Sequence, residues 1–349
     1  MSTWHNSLKA SKEYQRVFDF GCSYTNYKWL TWSDMIALSV NAKNFYKNSL
    51  SGAGLKMIYH QLRHQAQSIT DKDLVLVCLT TMDRYDVYNN YDYTEEAIAI
   101  NPAWSSNGSV QLKRMADQAP QCGTSFRLGH HGDPAINLFN MFLDNYVYLD
   151  LILNLFQSLP CDKVLITTDQ HRHDVVEYCK YDGRYDQHIS GYLPDNQQNL
   201  RRLLFDLRTE YAHTIDLVNQ ANDYSDFWLR IQAQKPNFPP LDPHPSPDEA
   251  YAFVSERILH HSDQQYLRDI MPVIQDNYDK VLEWCYRQPK PDQALQQFHH
   301  WSNAPDDHEI PEGIIDMGWL QQHTGKTSLD VVSDCLLYTS DAADDSLRV

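Results

Sequence analysis

The segment Asp73–Leu79 (DLVLVCL) constrains the fold of this chain more than any other stretch. Apart from its first residue, the segment is continuously apolar. A strand without polar alternation is typical of a parallel sheet that is buried on both faces. Shorter apolar segments at Arg16–Phe20 (RVFDF) and Lys163–Thr167 (KVLIT) are separated from it by helix-like patterns. This alternation predicts an α/β fold with a mainly parallel sheet.

The other predicted elements continue the same alternation. A short second strand is expected at Asn44–Asn48, and His213–Val218 (HTIDLV) is expected to be the fifth strand. The long polar segment Thr81–Leu128 is predicted to be irregular and, because of its length, to be a functional loop region. Helices are predicted at Trp32–Val40, Leu55–Gln67, Asn137–Gln157, Asn199–Thr209 and Pro247–Leu259.

The predicted elements divide the chain into three ranges. Residues 13–259 hold the strands and most of the helices, and they are expected to form one α/β domain. Residues 260–334 are polar, helix-like and interrupted by prolines, which indicates a helical appendage or a linker. Residues 335–349 (CLLYTSDAADDSLRV) resemble the conceptual translation of a sequencing adapter. We therefore expect this last range to be a non-native tail, with an ordinary polar tail as the alternative.

The acidic composition limits the expected partners. The formal net charge of −17 at pH 7 repels phosphate backbones and anionic lipid, so neither nucleic-acid nor membrane binding is expected. The sequence has no run of 18 apolar residues and no apolar signal core near Met1, which predicts a cytoplasmic protein. Seven cysteines without a C-x-x-C pair favour reduced thiols. The sequence indicates no oligomeric state.

A serine at the end of the first predicted strand is the candidate nucleophile. In the segment FDFGCSYT, Gly21 permits a sharp turn and Ser23 follows it. Ligands of open α/β sheets bind at the carboxyl ends of the strands, where this serine is expected to lie. The backbone N–H of Ser23 could stabilise an oxyanion there. Because serine alone is a weak nucleophile, the site also needs a base.

The candidate base lies far along the chain in the segment LDPHPSP. Prolines on both sides of His244 predict a stiff loop before a helix, which suits a group whose orientation matters. His244 could accept the proton of Ser23 and later donate it to a leaving alcohol. Asp242 could hold the imidazole in the required tautomer.

Four sequence blocks resemble those of the GDSL/SGNH hydrolases, especially divergent versions from phages and metagenomes. FDFGCSYT with the following TWSDMIA resembles the first block, and NSLSGAG at 48–54 resembles the second. LVCLTTMDRY at 76–85 resembles the third block. The final block corresponds to Asp242 and His244 with their prolines. The resemblance extends from about Val17 to Ile258 in the order that the family uses.

The resemblance implies a fold, a reaction and a set of site residues. The fold would be a three-layer α/β/α arrangement with a five-stranded, mainly parallel, flavodoxin-like sheet. The reaction would be the hydrolysis of acyl esters, without a metal or an organic cofactor. Beyond the resemblance, we expect the substrate to be an acetyl ester of a glycan or a small molecule. The implied triad is Ser23, His244 and Asp242. The oxyanion hole would use Ser23, Gly52 and Thr80, and substrate would contact Gly54, Arg84 and Tyr85.

Two departures from the family pattern affect these roles. The third block normally supplies an asparagine to the oxyanion hole, whereas Thr80 and Thr81 follow the strand here. The family spaces its aspartate and histidine as D-x-x-H, whereas Asp242 and His244 are spaced as D-x-H. A threonine hydroxyl could replace the missing amide, and a backbone carbonyl could orient the histidine instead of Asp242.

Alternative interpretations stay open for several of these residues. Ser23 could cap the following helix, and Cys22 could be a thiol nucleophile. Arg84 could bind an anionic group of the substrate or pair with a neighbouring aspartate. Histidine pairs such as His130 and His131 lack the spacing of a metal site, so no metal is expected. The whole chain could instead be a catalytically impaired glycan-binding or virion-associated module, or an acyltransferase that uses the same triad.

Overall fold

The computed structural model describes residues 8, 13–27, 29–40, 42, 44–49, 53–82, 87–88, 104–105, 138–168, 173–176, 194–224, 227, 230, 244–259 and 265–291. Within these residues one parallel sheet has five strands in the order β2-β1-β3-β6-β7. Two further short strands, β4 and β5, pair antiparallel. The strands are β1 (Arg16–Phe20), β2 (Asn44–Lys47), β3 (Asp73–Leu79), β4 (Val87–Tyr88), β5 (Trp104–Ser105), β6 (Asp162–Thr167) and β7 (Asn222–Asp223).

Seven helices cover the two faces of this sheet in the described part of the chain. The side chains of α2, α3, α4 and α5 pack on one face, and those of α1, α6 and α7 pack on the other. The predicted three-layer α/β/α fold is therefore confirmed. The helices are α1 (Trp32–Ser39), α2 (Leu55–Ala66), α3 (Leu138–Ser158), α4 (Pro194–Glu210), α5 (Ala212–Val218), α6 (Pro247–Arg257) and α7 (Gln265–Tyr286).

The central strand β3 shows why the apolar segment determines this architecture. All seven of its residues are buried. Val75, Val77 and Leu79 face the α2–α3 layer, and the side chains between them face the α1–α6 layer. Burial of a valine or leucine side chain contributes about 1.5–3 kcal/mol. A strand that is apolar on both faces therefore gains full stabilisation only between two helical layers.

The predicted fifth strand was wrong. Residues 213–218 belong to the helix α5, and the fifth strand of the sheet is the two-residue β7 that follows it. Thr214, Ile215 and Val218 are buried at spacings of one and three residues, which places them on one face of a helix. A short apolar segment such as HTIDLV has similar periodicity as a strand or a helix. The helix is formed because it packs Ile215 and Val218 into the apolar core.

The first part of the predicted appendage packs on the α/β domain. The helix α7 lies in residues 260–334, and it contacts both α1 and α6. Leu267, Ile270 and Met271 are buried within the same apolar cluster as those two helices. Residues 265–286 therefore contribute to the outer layer of the fold, and residues 292–349 lie outside the described part of the chain.

The structure describes the long segment after β3 only in part. Within the segment 81–128, which was expected to be irregular, the described residues include the paired strands β4 and β5.

Among the helices of the described residues, none is long and apolar enough to cross a membrane.

Candidate active site

The strands of a parallel sheet all end at one edge, and this edge holds the candidate site. Gly21 and Ser23 follow β1, and Thr80 follows the adjacent strand β3. Phe20, the last residue of β1, is paired with Val77, so β3 continues two residues beyond the end of β1 and Thr80 follows there. The sequence blocks that follow β1 and β3 therefore meet at the carboxyl edge of the sheet, where α/β proteins bind their ligands.

A tight turn places Ser23 immediately after β1. The backbone N–H groups of Thr25 and Asn26 both donate to the carbonyl oxygen of Cys22, over 2.9 and 3.1 Å. A methyl group added at Gly21 would lie 2.3 Å from Thr25 Oγ1 and 3.0 Å from Cys78 Cβ. The turn thus requires a residue without a side chain at position 21, because β3 and Thr25 occupy that space.

The substitution Gly21→Ala should therefore destabilise the protein. Thr25 is fully buried, so its side chain cannot move into solvent to make room for the new methyl group. We expect a loss of about 1–3 kcal/mol in the free energy of unfolding, as is usual for overpacking. Urea denaturation followed by circular dichroism measures the loss. An unchanged unfolding midpoint would contradict the described packing.

The structure brings Ser23 and His244 together although they are 221 positions apart. Ser23 Oγ lies 2.7 Å from His244 Nε2. The serine side chain is nearly buried, with 5% of the residue exposed, and the histidine is half-buried. This distance is that of a strong hydrogen bond, and it is the contact that an activated serine requires.

The start of α6 fixes the loop that carries His244. Ser246 Oγ accepts from the backbone N–H of Glu249, and a Glu249 carboxylate oxygen accepts from the backbone N–H of Ser246 over 2.7 Å. These two hydrogen bonds form a capping box. Pro247, between its two residues, lies in the first turn of α6, where the sequence predicted a proline. Glu249 is itself buried, so the helix start is anchored in the core two residues from the histidine.

Two tyrosine rings contact the imidazole of His244. The Tyr27 ring stacks on it with a centroid distance of 3.9 Å and an interplanar angle of 18°. Tyr24 approaches with a centroid distance of 5.3 Å. A small pocket of about 180 Å³, including its open mouth, lies beside the serine and the histidine. Its lining residues are Ser23, Tyr24, Tyr27, Trp29, Thr31, Tyr224, His244, Pro245 and Ala250.

A buried carboxylate supports the end of β1 beneath this site. Asp19 is fully buried, and one of its oxygens accepts from the backbone N–H of Asn48, the backbone N–H of Ser49 and the Ser49 hydroxyl. Its other oxygen accepts from Ser33 Oγ over 2.9 Å. The carboxylate thus joins β1 to α1 and to the first two residues of the second sequence block. Burial raises the pKa of Asp19 to about 6, against the opposing effect of nearby Lys47.

The raised pKa of Asp19 has a consequence for stability. A carboxyl group with a higher pKa in the folded than in the unfolded protein makes folding less favourable as it ionises. The free energy of unfolding should therefore decrease, relative to an Asp19→Asn variant, as the pH rises from about 4 to about 6. Urea denaturation of both proteins across this pH range measures the difference. Parallel pH profiles for the two proteins would contradict the raised pKa.

The described residues include only some of the predicted oxyanion and substrate groups. Thr80 Oγ1 is buried and makes no hydrogen bond within the described part of the chain. Gly54 is buried and directly precedes α2. Asn145 of α3 donates from Nδ2 to the carbonyl oxygen of Met82 over 2.7 Å and so fixes the segment after β3. Asp242, Gly52, Arg84 and Tyr85 lie outside the described residues.

The described residues also include groups from the alternative chemistries. Cys22 is fully buried, as expected of a thiol with a packing role. His173, the described member of the histidine-rich segment at 171–174, is buried with Nε2 2.7 Å from Thr167 Oγ1. Among the described residues, no group of three or more histidine, cysteine or acidic side chains is arranged to hold a metal ion.

Sequence reasoning missed two features of this site. It did not identify Asp19 as a buried support for β1, although an aspartate inside an apolar strand (RVFDF) is a signal for such a role. It also missed the contact of Tyr27 with His244. The sequence carries no signal for that contact, because an aromatic residue in a loop has many possible partners.

The fold and this geometry define the class of the protein: a three-layer α/β protein with a serine–histidine pair at the carboxyl edge of its parallel sheet. No protein-family model matches the sequence, and no curated protein matches it. Membership of the GDSL/SGNH hydrolases therefore stays a prediction from the resemblance of the four sequence blocks.

Proposed function

We propose that this protein is a serine hydrolase of the GDSL/SGNH type that cleaves acyl esters through an acyl-enzyme on Ser23. The observation that carries the proposal is the 2.7 Å contact between Ser23 Oγ and His244 Nε2. It occurs at the sheet edge where the sequence blocks place the nucleophile and the base. A cap for α1 is the alternative role of Ser23, but Thr31 and Asp34 form the capping box of that helix.

The proposed reaction has two halves. In the first, His244 Nε2 accepts the proton of Ser23 as Oγ attacks the carbonyl carbon of the ester. The tetrahedral intermediate then collapses, the ester C–O bond breaks, and the histidine donates its proton to the leaving alcohol. In the second half, water attacks the acyl-enzyme with His244 again as the base. The acid is released and Ser23 is regenerated.

The proposed oxyanion hole comprises the backbone N–H groups of Ser23 and Gly52 and the hydroxyl of Thr80. Thr80 Oγ1 is buried at the end of β3, next to the strand that ends at the nucleophile. Its hydroxyl makes no hydrogen bond within the described residues, and a buried hydroxyl without a partner is costly unless a ligand uses it. A developing oxyanion would be such a ligand.

The substitution Thr80→Val tests this role, since valine keeps the shape and removes the hydroxyl. We expect kcat to fall about 100-fold, the usual cost of losing one oxyanion donor, with little change in stability. The Thr80→Ser variant retains the hydroxyl and should keep most of the activity. Steady-state kinetics measure both. Full activity of Thr80→Val would assign the third donor to another residue.

The proposed substrate is an acetyl or other small acyl ester, with a glycan as the proposed carrier of the acyl group. The space beside Ser23 and His244 is small in the described part of the chain, which favours a small acyl group. Tyr24 and Tyr27 are the partly exposed aromatic residues of its lining, and they could pack against a sugar ring. In this scheme Asp242 orients His244, and Arg84, Tyr85 and Gly54 contact the substrate.

The proposal is tested by the hydrolysis of p-nitrophenyl acetate by the full chain. We expect turnover by the wild-type protein and by a Cys22→Ala variant, because the thiol is buried and has no part in the scheme. Loss of activity in Cys22→Ala alone would point to a thiol nucleophile. Glycan binding without any turnover would favour the impaired binding module, for which the missing third-block asparagine is the argument. Acyl transfer to an added sugar would instead define an acyltransferase.

A further inference from the structure

The imidazole of His244 contacts two residues of the loop after β1, the Ser23 hydroxyl and the Tyr27 ring. Its contact with Tyr27 is a parallel stack, with a centroid distance of 3.9 Å. Tyr27 lies four residues after Ser23 in the same loop. The loop that carries the nucleophile therefore also supplies the surface against which the base lies.

Trp29 holds this surface in place through three contacts. Its Nε1 donates to the carbonyl oxygen of Pro245 over 2.8 Å, in a buried hydrogen bond to the residue that follows His244. Its ring meets the Tyr27 ring edge-to-face at 4.7 Å. It also meets Tyr278 of α7 edge-to-face at 4.9 Å. The base is thus connected through two rings to the helix at the start of the predicted appendage.

We propose that Tyr27 is a positioning residue for His244, and that Trp29 holds Tyr27 and the His244 loop in a fixed relation. This inference rests on the proposed function. A flat ring packed parallel to the imidazole limits its rotation out of the plane, and it keeps Nε2 directed at Ser23 Oγ. The electron-rich face of the tyrosine also favours the imidazolium that forms when the histidine accepts a proton.

The stacking surface, not the tyrosine hydroxyl, is the essential feature of this role. Tyr27→Phe keeps the ring and should retain kcat within about threefold, whereas Tyr27→Leu removes the ring. A displacement of about 1 Å at a reacting group can cost about 100-fold in rate. We therefore expect Tyr27→Leu to lower kcat for p-nitrophenyl acetate by about 10- to 100-fold, with KM little changed. Trp29→Phe, which loses the hydrogen bond to Pro245, should lower kcat in the same way.

A matched control separates this effect from a general loss of packing. Tyr59 is a half-buried tyrosine of α2, on the opposite face of the sheet, where it packs near Tyr148. The variant Tyr59→Leu loses a ring of the same size and should retain full activity. Thermal unfolding of all variants shows whether each protein is folded at the assay temperature.

A spectroscopic measurement tests the stack independently of turnover. In protein labelled with ¹³C at histidine Cε1, the resonance missing from His244→Asn identifies the base. We expect this resonance to be shifted upfield by the Tyr27 ring, to stay there in Tyr27→Phe, and to move downfield in Tyr27→Leu. An unmoved resonance in Tyr27→Leu would overturn the stack.

The kinetic outcomes distinguish the two proposals. If the wild-type protein shows Ser23-dependent turnover and Tyr27→Leu is equally active, the positioning role is overturned and the hydrolase proposal stands. Equal losses in Tyr27→Phe and Tyr27→Leu would also overturn it. If the wild-type protein shows no turnover that depends on Ser23, the hydrolase proposal fails, and the catalytic role of Tyr27 fails with it, whatever the resonance shows about packing.

Discussion

Replacing Ser23 with alanine should lower kcat/KM for p-nitrophenyl acetate by about 1,000-fold or more, and His244→Ala should cost a similar factor. Loss of either member of a nucleophile–base pair leaves only binding and oxyanion stabilisation to accelerate the reaction. Because the two side chains act as a unit through one 2.7 Å hydrogen bond, the double variant should be no slower than the worse single variant.

The control for this experiment is a serine elsewhere on the same strand–helix unit. Ser39 lies on α1 and donates from Oγ to the carbonyl oxygen of Met35 over 2.7 Å. The Ser39→Ala variant should keep wild-type kinetics. If Ser23→Ala retained more than about a tenth of the activity, or if the losses of the single variants multiplied in the double variant, the proposed pair would not be the catalytic unit.

The second large effect is on stability rather than activity. The substitution Asp19→Ala removes the acceptor for four donors from Ser33, Asn48 and Ser49, two of which are backbone N–H groups. The methyl side chain of alanine can accept none of these hydrogen bonds, and the Asp19 carboxylate is fully buried, so water cannot simply take its place. Ser33 Oγ can still donate to the carbonyl oxygen of Thr25, and the Asn48 N–H to the carbonyl oxygen of residue 19. Within the described residues, the two Ser49 donors therefore lose their acceptor. Each buried donor without an acceptor costs about 1–3 kcal/mol. We therefore expect a loss on the order of 3–5 kcal/mol in the free energy of unfolding, measured by urea denaturation.

Asp19→Asn is the matched variant for this prediction. The amide oxygen of asparagine can accept from Asn48 and Ser49. The amide nitrogen takes the position of the second carboxylate oxygen, and it can donate to Ser33 Oγ where that oxygen accepted. This variant should therefore lose far less stability than Asp19→Ala at pH 7. Because asparagine has the shape of aspartate, equal losses in the two variants would show that the charge of the carboxylate, rather than its hydrogen bonds, holds β1 to its neighbours.

Local sequence patterns predicted the strands and the helix start that have clear signals of their own. The bounds of β1 and β3 were correct, because RVFDF and DLVLVCL are apolar segments with clear ends. The start of α6 at Pro247 was correct because proline and a capping box mark it. The fifth strand could not be found, since β7 is two polar residues long and pairs only through the backbone of β6.

The candidate site was predictable only in part, and for a different reason. Ser23 was predicted from its place after a strand and a glycine, and His244 from its flanking prolines; both also lie in blocks that resemble a family. The structure places them in contact across 221 positions. No periodicity or spacing encodes that contact. Tyr27 and Trp29 contact residues distant in sequence, so their roles emerge only when the Ser23 loop and the start of α6 are assembled. Asp19 carries a sequence signal for burial, but its hydrogen-bond partners become evident only in the folded chain.

Covalent labelling with a fluorophosphonate tests the central claim most directly. The reagent phosphonylates a serine that a neighbouring base has activated, and the modified peptide is located by mass spectrometry. We predict one label per chain on Ser23, with labelling abolished in Ser23→Ala and strongly slowed in His244→Ala. A folded wild-type protein that stays unlabelled, or a label on another residue, would contradict the assignment of Ser23 as the nucleophile.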